Sequence, residues 1–114
     1  MSYSRGDVVE VPIAFTDQSG SKIRPALVIS SDQYNQQTPD LLILSITGRL
    51  TGLAHPGDHV LADWQAAGLA RPSKVRAKFA TIDSSIIRAV RGHVSASDLQ
   101  AVERGIRQAL DLTA

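Results

Sequence analysis

Two apolar runs near the middle of the chain, Ala26–Ser30 and Leu41–Thr47, set the pattern for everything around them. Both are short and nearly continuous, which predicts strands buried on both faces and paired with each other. Upstream, Val8–Ile13 alternates loosely and predicts another strand. Pro12 has no amide proton to give a ladder, so that strand should lie at an edge or end there. The polar stretch Thr16–Lys22 carries no apolar anchor and is expected to be a mobile flap, an ordinary hairpin connection being the plainer alternative.

Downstream, Ser31–Asn35 predicts a single capped turn, and Gly48 and Gly52 break the chain after Thr47. A loop running to His55-Pro56-Gly57 leads into a short strand at Asp58–Ala62. Asp63–Gly68 then predicts one helical turn, capped by Asp63 and ended by Gly68. Alternation over Lys74–Phe79 puts Lys74, Arg76 and Lys78 on one face. Thr81–Asp83 and Ile86–Val90 continue the β pattern around a turn at Asp83-Ser84-Ser85. The period then changes, with Leu99, Val102, Ile106 and Leu110 recurring at helical spacing over Ser97–Leu112. Ser95 is the natural N-cap and Asp98 stands where the acid of a capping box belongs. Gly105 should cost that helix about 1 kcal/mol relative to Ala. About six short strands followed by one amphipathic helix predict a mainly β fold with α. The expected architecture is a small barrel closed by its C-terminal helix, in a single domain over residues 1–114.

Composition narrows the chemistry. The absence of cysteine excludes disulfides and thiolate metal sites, and three scattered histidines offer no paired ligand spacing. No metal or cofactor is therefore expected. No apolar leader opens the chain, and no run reaches the ~18 residues of a membrane span, so a cytoplasmic protein without membrane contact is expected. A net charge of +1 is too low for a non-specific duplex binder. Nucleic acid, if bound, should be a short single strand held by a local patch.

The candidate site comes from the two central strands. Pro25 biases Arg24 towards an extended backbone just before the first, and Thr47 closes the second. Paired strands then present a guanidinium and a hydroxyl at one end of a sheet, which suits a phosphate. Taken singly, an Arg at a strand end is usually solvated and a strand Thr reflects β-propensity. Lys22, Arg49 and Arg76 are candidates for tracking a nucleic-acid backbone, with a solvated surface as the alternative. His55 and His59 have the intrinsic pKa of a general base, although His55-Pro56-Gly57 reads as a turn. Trp64, the only Trp, could stack a base but is expected in the core or a dimer interface.

Several pieces recur in order along the chain: R-G-D-V-V-E-V at Arg5–Val11, K-I-R-P-A-L-V-I-S at Lys22–Ser30 and L-S-I-T-G at Leu44–Gly48. P-S-K-V-R at Pro72–Arg76, T-I-D at Thr81–Asp83 and R-G-H-V-S-A-S-D-L at Arg91–Leu99 follow. With these in place the chain resembles the MazF/PemK-type toxins, growth-inhibiting ribonucleases of bacterial toxin–antitoxin pairs. The resemblance implies an SH3-like barrel of the CcdB/MazF type, a homodimer, and a cognate antitoxin whose acidic tail covers the groove. It also implies metal-independent, sequence-selective cleavage of single-stranded RNA (mRNA), leaving a 2′,3′-cyclic phosphate and a 5′-hydroxyl. By position, Arg24 and Thr47 match the family's catalytic Arg and Thr, and Lys22, Gly48, Arg49 and Arg76 are the expected RNA contacts. Two departures stand out: Gly48 follows Thr47 where the family commonly has Ser, and Val75-Arg76-Ala77-Lys78 lacks the Asp that some members carry. A CcdB-like gyrase poison that cleaves nothing, and an inactive barrel serving as a binding module, are the alternative readings.

Overall fold

The computed structural model describes residues 2–14 and 20–113. Its strands are β1 (Asp7–Ala14), β2 (Ser21–Val28), β3 (Asp40–Thr47), β4 (His59–Val60), β5 (Lys74–Asp83) and β6 (Ala89–His93). Helix α1 (Asp32–Gln37) joins β2 to β3, a 3-10 turn at Ser84–Ile86 joins β5 to β6, and helix α2 (Ala96–Leu110) follows. The six strands make one antiparallel sheet in the order β4-β5-β3-β2-β1-β6. The sheet curls into a half-barrel; its end strands, β4 and β6, do not pair with each other. The expected barrel is therefore open in its hydrogen bonding.

Alternation along the strands divides the apolar residues between two cores. Val8, Leu27, Leu44, Ile46 and Val75 join Val102 of α2 together with Leu61, Ala67 and Val94. Val9, Val11, Ala26, Val28, Leu41 and Ile43 form the second core, with Tyr3, Ile82 and Ile87 against it. This double burial is why β2 and β3 read as continuous apolar runs rather than as alternating ones.

β2 begins earlier than its apolar run. Pairing with β1 extends from Val8↔Leu27 to Ala14↔Ser21, so Arg24 and Pro25 lie inside the strand rather than before it. β3 pairs with β2 only over Ala26–Val28, which leaves a free edge at Pro25 where a missing amide proton is tolerated. The same holds at Pro12, because β6 pairs with β1 only over Asp7–Glu10. Ile29 and Ser30, expected in the strand, have left it. Of the expected flap, residues 16–19 lie outside the described residues, and Ser21 and Lys22 belong to β2.

Residues 63–68 form the expected single turn, closed by the Ala67 N–H on the Asp63 carbonyl at 3.1 Å and ended by Gly68 at a φ of 83°, but the expected cap is reversed. Asp63 caps nothing with its side chain here; its own N–H donates to Asp98 Oδ2 at 2.9 Å. Ser95 does cap α2, accepting from the Asp98 N–H at 3.2 Å. The Asp98 carboxylate, however, points away from the helix start. It also accepts from the Ala62 N–H at 3.0 Å and meets His59 Nε2 at 2.8 Å, so α2 is pinned to the β4 loop. Gly105 has a packing reason: a Cβ there would sit 2.8 Å from the Gly57 carbonyl oxygen, where that loop crosses the helix. No described helix is long and apolar enough to cross a membrane.

Candidate functional site

The last β2–β3 pair is Ala26↔Ser45. Continuing that register by two residues would set Arg24 opposite Thr47, but the strands part there. A cavity of about 640 Å³ lies at the parting, and both Arg24 and Thr47 line it. The pair picked out in the sequence is thus brought to one place. Arg24 is exposed, which keeps its guanidinium solvated and available. Thr47 Oγ1 accepts a hydrogen bond from the Arg49 N–H at 3.1 Å. Because a hydroxyl both donates and accepts, that contact leaves its proton free for a ligand while fixing the chain at Arg49.

Charge converges on the same cavity. Arg24, Arg49, Arg71, Arg76, Lys78 and Arg91 line it, against Glu10 as the one acid among the described residues. Glu10 is occupied, with Arg91 Nη1 3.1 Å from its Oε1. Among the described residues, Arg24, Arg49, Arg71 and Lys78 enter no ion pair. A chain of net charge +1 therefore concentrates uncommitted cations in one groove.

Asp58 sorts the β5 cations. Lys74, expected on one face with Arg76 and Lys78, is buried, with its Nζ 3.1 Å from Asp58 Oδ2. Arg76 is half-buried, with Nε 3.8 Å from Asp58 Oδ1, too long for a hydrogen bond. Burial pushes the Asp58 carboxyl up, but the His55 N–H, Lys74 and Arg76 together outweigh it and hold its pKa below the usual value. An ionised Asp58 steadies Arg76 at the cavity wall, where the remaining N–H groups of its guanidinium can face a ligand.

A smaller cavity of about 220 Å³ also has Thr47, Arg49 and Arg76 in its wall, together with Leu53 and His55. Thr47 and Arg49 therefore stand between two spaces. Gly48 lines the larger one. Lys22, exposed on β2 opposite Ile13, lines neither. His59 is held by Asp98 and lines neither cavity, whereas His55 lines the smaller. Trp64 packs against the α2-side core. Among the described residues no group of His, Cys, Asp and Glu is placed to hold a metal ion.

Arg71 and Arg91 were not singled out by sequence. Arg71 lies in an irregular loop with no periodicity to mark it, and Arg91 reaches the cavity only because β6 returns to the free side of β1.

The family described as the PemK-like, MazF-like toxin of type II toxin–antitoxin systems matches residues 4–110. Endoribonuclease MazF6 of Mycobacterium tuberculosis is 33% identical over 93 residues, covering 81% of this chain and 82% of its own. Among solved structures, a MazE–MazF complex from Deinococcus radiodurans superposes with a TM-score of 0.79 at 23% identity, over 99% of this chain and 100% of its own. A mycobacterial endoribonuclease in complex with its cognate antitoxin superposes with a TM-score of 0.78 at 18% identity, over 99% of each chain. At these identities the two superpositions establish the fold.

Proposed function

The chain belongs to the PemK-like, MazF-like toxin family of type II toxin–antitoxin systems, and we propose that its catalytic centre is the cavity shared by Arg24 and Thr47. It is an endoribonuclease toxin of such a system. The substrate of this centre is single-stranded RNA, mRNA in the cytoplasm, cut without a metal.

The nucleophile comes from the substrate. The 2′-hydroxyl gives up its proton as its oxygen attacks the adjoining phosphorus, the bond to the 5′-oxygen breaks, and that oxygen takes up a proton, so a 2′,3′-cyclic phosphate and a 5′-hydroxyl result. What the protein must supply is alignment and stabilisation of the charge that grows on the phosphoryl oxygens. Arg24 suits the second task, since its planar cationic fork can grip two oxygens. Thr47 donates its free proton to the phosphate, and its bond to the Arg49 N–H sets that donor's direction. Arg49 and Arg76 follow the RNA backbone from one cavity to the next. A single strand fits this task because its nucleotides can turn into the in-line geometry that a duplex forbids.

The observation that carries this reading is the meeting, in one cationic cavity, of a hydroxyl donor and a guanidinium that has no ion-pair partner among the described residues. The test is cleavage of single-stranded RNA in EDTA by the purified protein and by Arg24→Ala. The variant is expected to fold normally, because Arg24 is exposed and such substitutions usually change stability by less than ~0.5 kcal/mol. Its cleavage should fall at least ~10²-fold, the usual loss for one preorganised donor. Wild-type rates in Arg24→Ala would place the site elsewhere.

A further inference from the structure

We propose that Arg71 is an RNA phosphate-binding residue of this site, and that Gly48 is the residue that makes room for it. The proposal rests on the Arg24–Thr47 cavity being the RNA site. A Cβ at Gly48 would fall 2.7 Å from Arg71 Nε and 2.9 Å from its Cδ. The arginine stem therefore lies flat against the backbone immediately after Thr47, in space that any other residue at position 48 would occupy. Gly48 does not have a left-handed φ, so no backbone requirement explains the glycine. The contact with Arg71 does.

The loop that carries Arg71 is fixed. Pro72 restricts the Arg71 backbone, and the Ser73 hydroxyl, on a buried residue, donates to the Arg71 carbonyl at 2.9 Å. The guanidinium is thus presented from a set position, which lowers the entropy lost when it takes a ligand. An arginine whose role was structural would be expected to meet a carboxylate, as Arg91 meets Glu10. Arg71 meets none among the described residues, is exposed, and lines the cavity that Arg24 lines. An unpartnered planar fork beside Thr47 calls for a bidentate anion, and along RNA that anion is a phosphodiester. With Arg24 and Thr47 on the scissile phosphate, Arg71 takes the adjoining one.

Cleavage and binding of a short single-stranded RNA, with a 2′-O-methyl version as the uncleaved probe, test this in EDTA. Arg71→Ala should raise KM about tenfold and leave kcat nearly unchanged, the pattern of a contact made equally in ground and transition states. The slope of log affinity against log salt should shrink by about 0.7, one phosphate contact on a single strand. Arg71→Lys should keep the slope and recover only part of the affinity. Gly48→Ala, shown folded by circular dichroism, should displace Arg71 and weaken binding likewise. The double variant should be no weaker than Arg71→Ala alone, because both substitutions remove one interaction.

If Arg24→Ala abolishes cleavage while Arg71→Ala keeps wild-type KM and salt slope, Arg71 has no such role and the site stands without it. Full additivity of Gly48→Ala and Arg71→Ala would overturn the coupling between them. Loss of antitoxin affinity with RNA binding intact would assign Arg71 to the protein partner and overturn the proposal. Wild-type cleavage by Arg24→Ala would remove the site and this inference together.

Discussion

Thr47 uses one oxygen in two directions, accepting from the Arg49 N–H and leaving a proton for a ligand. Substitutions can separate the two. Thr47→Ser keeps both and should cleave at close to the wild-type rate. Thr47→Val keeps the shape and loses both, so cleavage should fall, though less than in Arg24→Ala, because a neutral donor stabilises growing charge less than a guanidinium does. Single-turnover rates on one RNA would rank them, and a Thr47→Val rate equal to wild type would deny the hydroxyl a role. Arg24 and Thr47 were legible in sequence because strand periodicity fixes which residues end up side by side. For Lys74 the same logic fixed the face it shares with Arg76 but not its burial. Alternation placed it with Arg76 and Lys78, but Asp58, sixteen residues upstream in a loop, draws it inside. No periodicity registers a partner of that kind. Arg71 was silent for a related reason, since its neighbour Gly48 is remote in sequence and looks like an ordinary breaker.

At the scale of elements, α2 and the β4 loop hold each other through two contacts that helix rules alone misjudge. The acid at a capping-box position should turn back on its own helix, yet the buried Asp98 collects donors from the loop. Burial raises the Asp98 pKa, but hydrogen bonds from the Ala62 N–H, His59 and the Asp63 N–H outweigh it, and the folded-state value lies below the usual one. Its contribution is therefore complete above the unfolded pKa of about 3.9 and is lost as pH falls through the depressed folded value. Asp98→Asn puts an amide nitrogen where an acceptor was, which should cost about 2–3 kcal/mol by leaving a buried donor unmet. Urea midpoints should show that loss at pH 7 and a shallower decline below pH ~4 than in wild type. An unchanged acid limb would deny Asp98 its part. Gly105→Ala makes the complementary case. Propensity alone gives a gain of about 1 kcal/mol, whereas a Cβ 2.8 Å from the Gly57 carbonyl must push two backbones apart. The variant should be less stable than wild type. A higher melting temperature would show that the crossing is loose.

Across the whole molecule, strand number and the terminal helix were legible because both cores impose their periods on the chain. Closure was not, since β4 shrinks to two residues and the ends of the sheet stay unpaired. An open cationic groove in a nearly neutral chain has consequences for partners. Exposed Ile13 and Ile23 stand at the same end of the sheet as Arg24, and both line its cavity. Apolar residues at the rim of a charged site fit a second copy of the chain, so a homodimer with a groove crossing the boundary is expected. Sedimentation showing only monomer at micromolar concentration would remove the shared groove. The antitoxin must then contend with the groove's charge. The surface of this chain suited to that contact is the cationic cavity of Arg24, Arg49 and Arg71. An acidic, otherwise disordered segment of the antitoxin should fold along it, offering carboxylates to the guanidinium forks that otherwise take phosphates. Added to the toxin, it should displace 2′-O-methyl RNA and stop cleavage together, at one stoichiometry. Raising salt should weaken both ligands, RNA more steeply, because each phosphate contact releases a condensed counterion. A complex that holds antitoxin and RNA at once, and still cleaves, would put the antitoxin on another face.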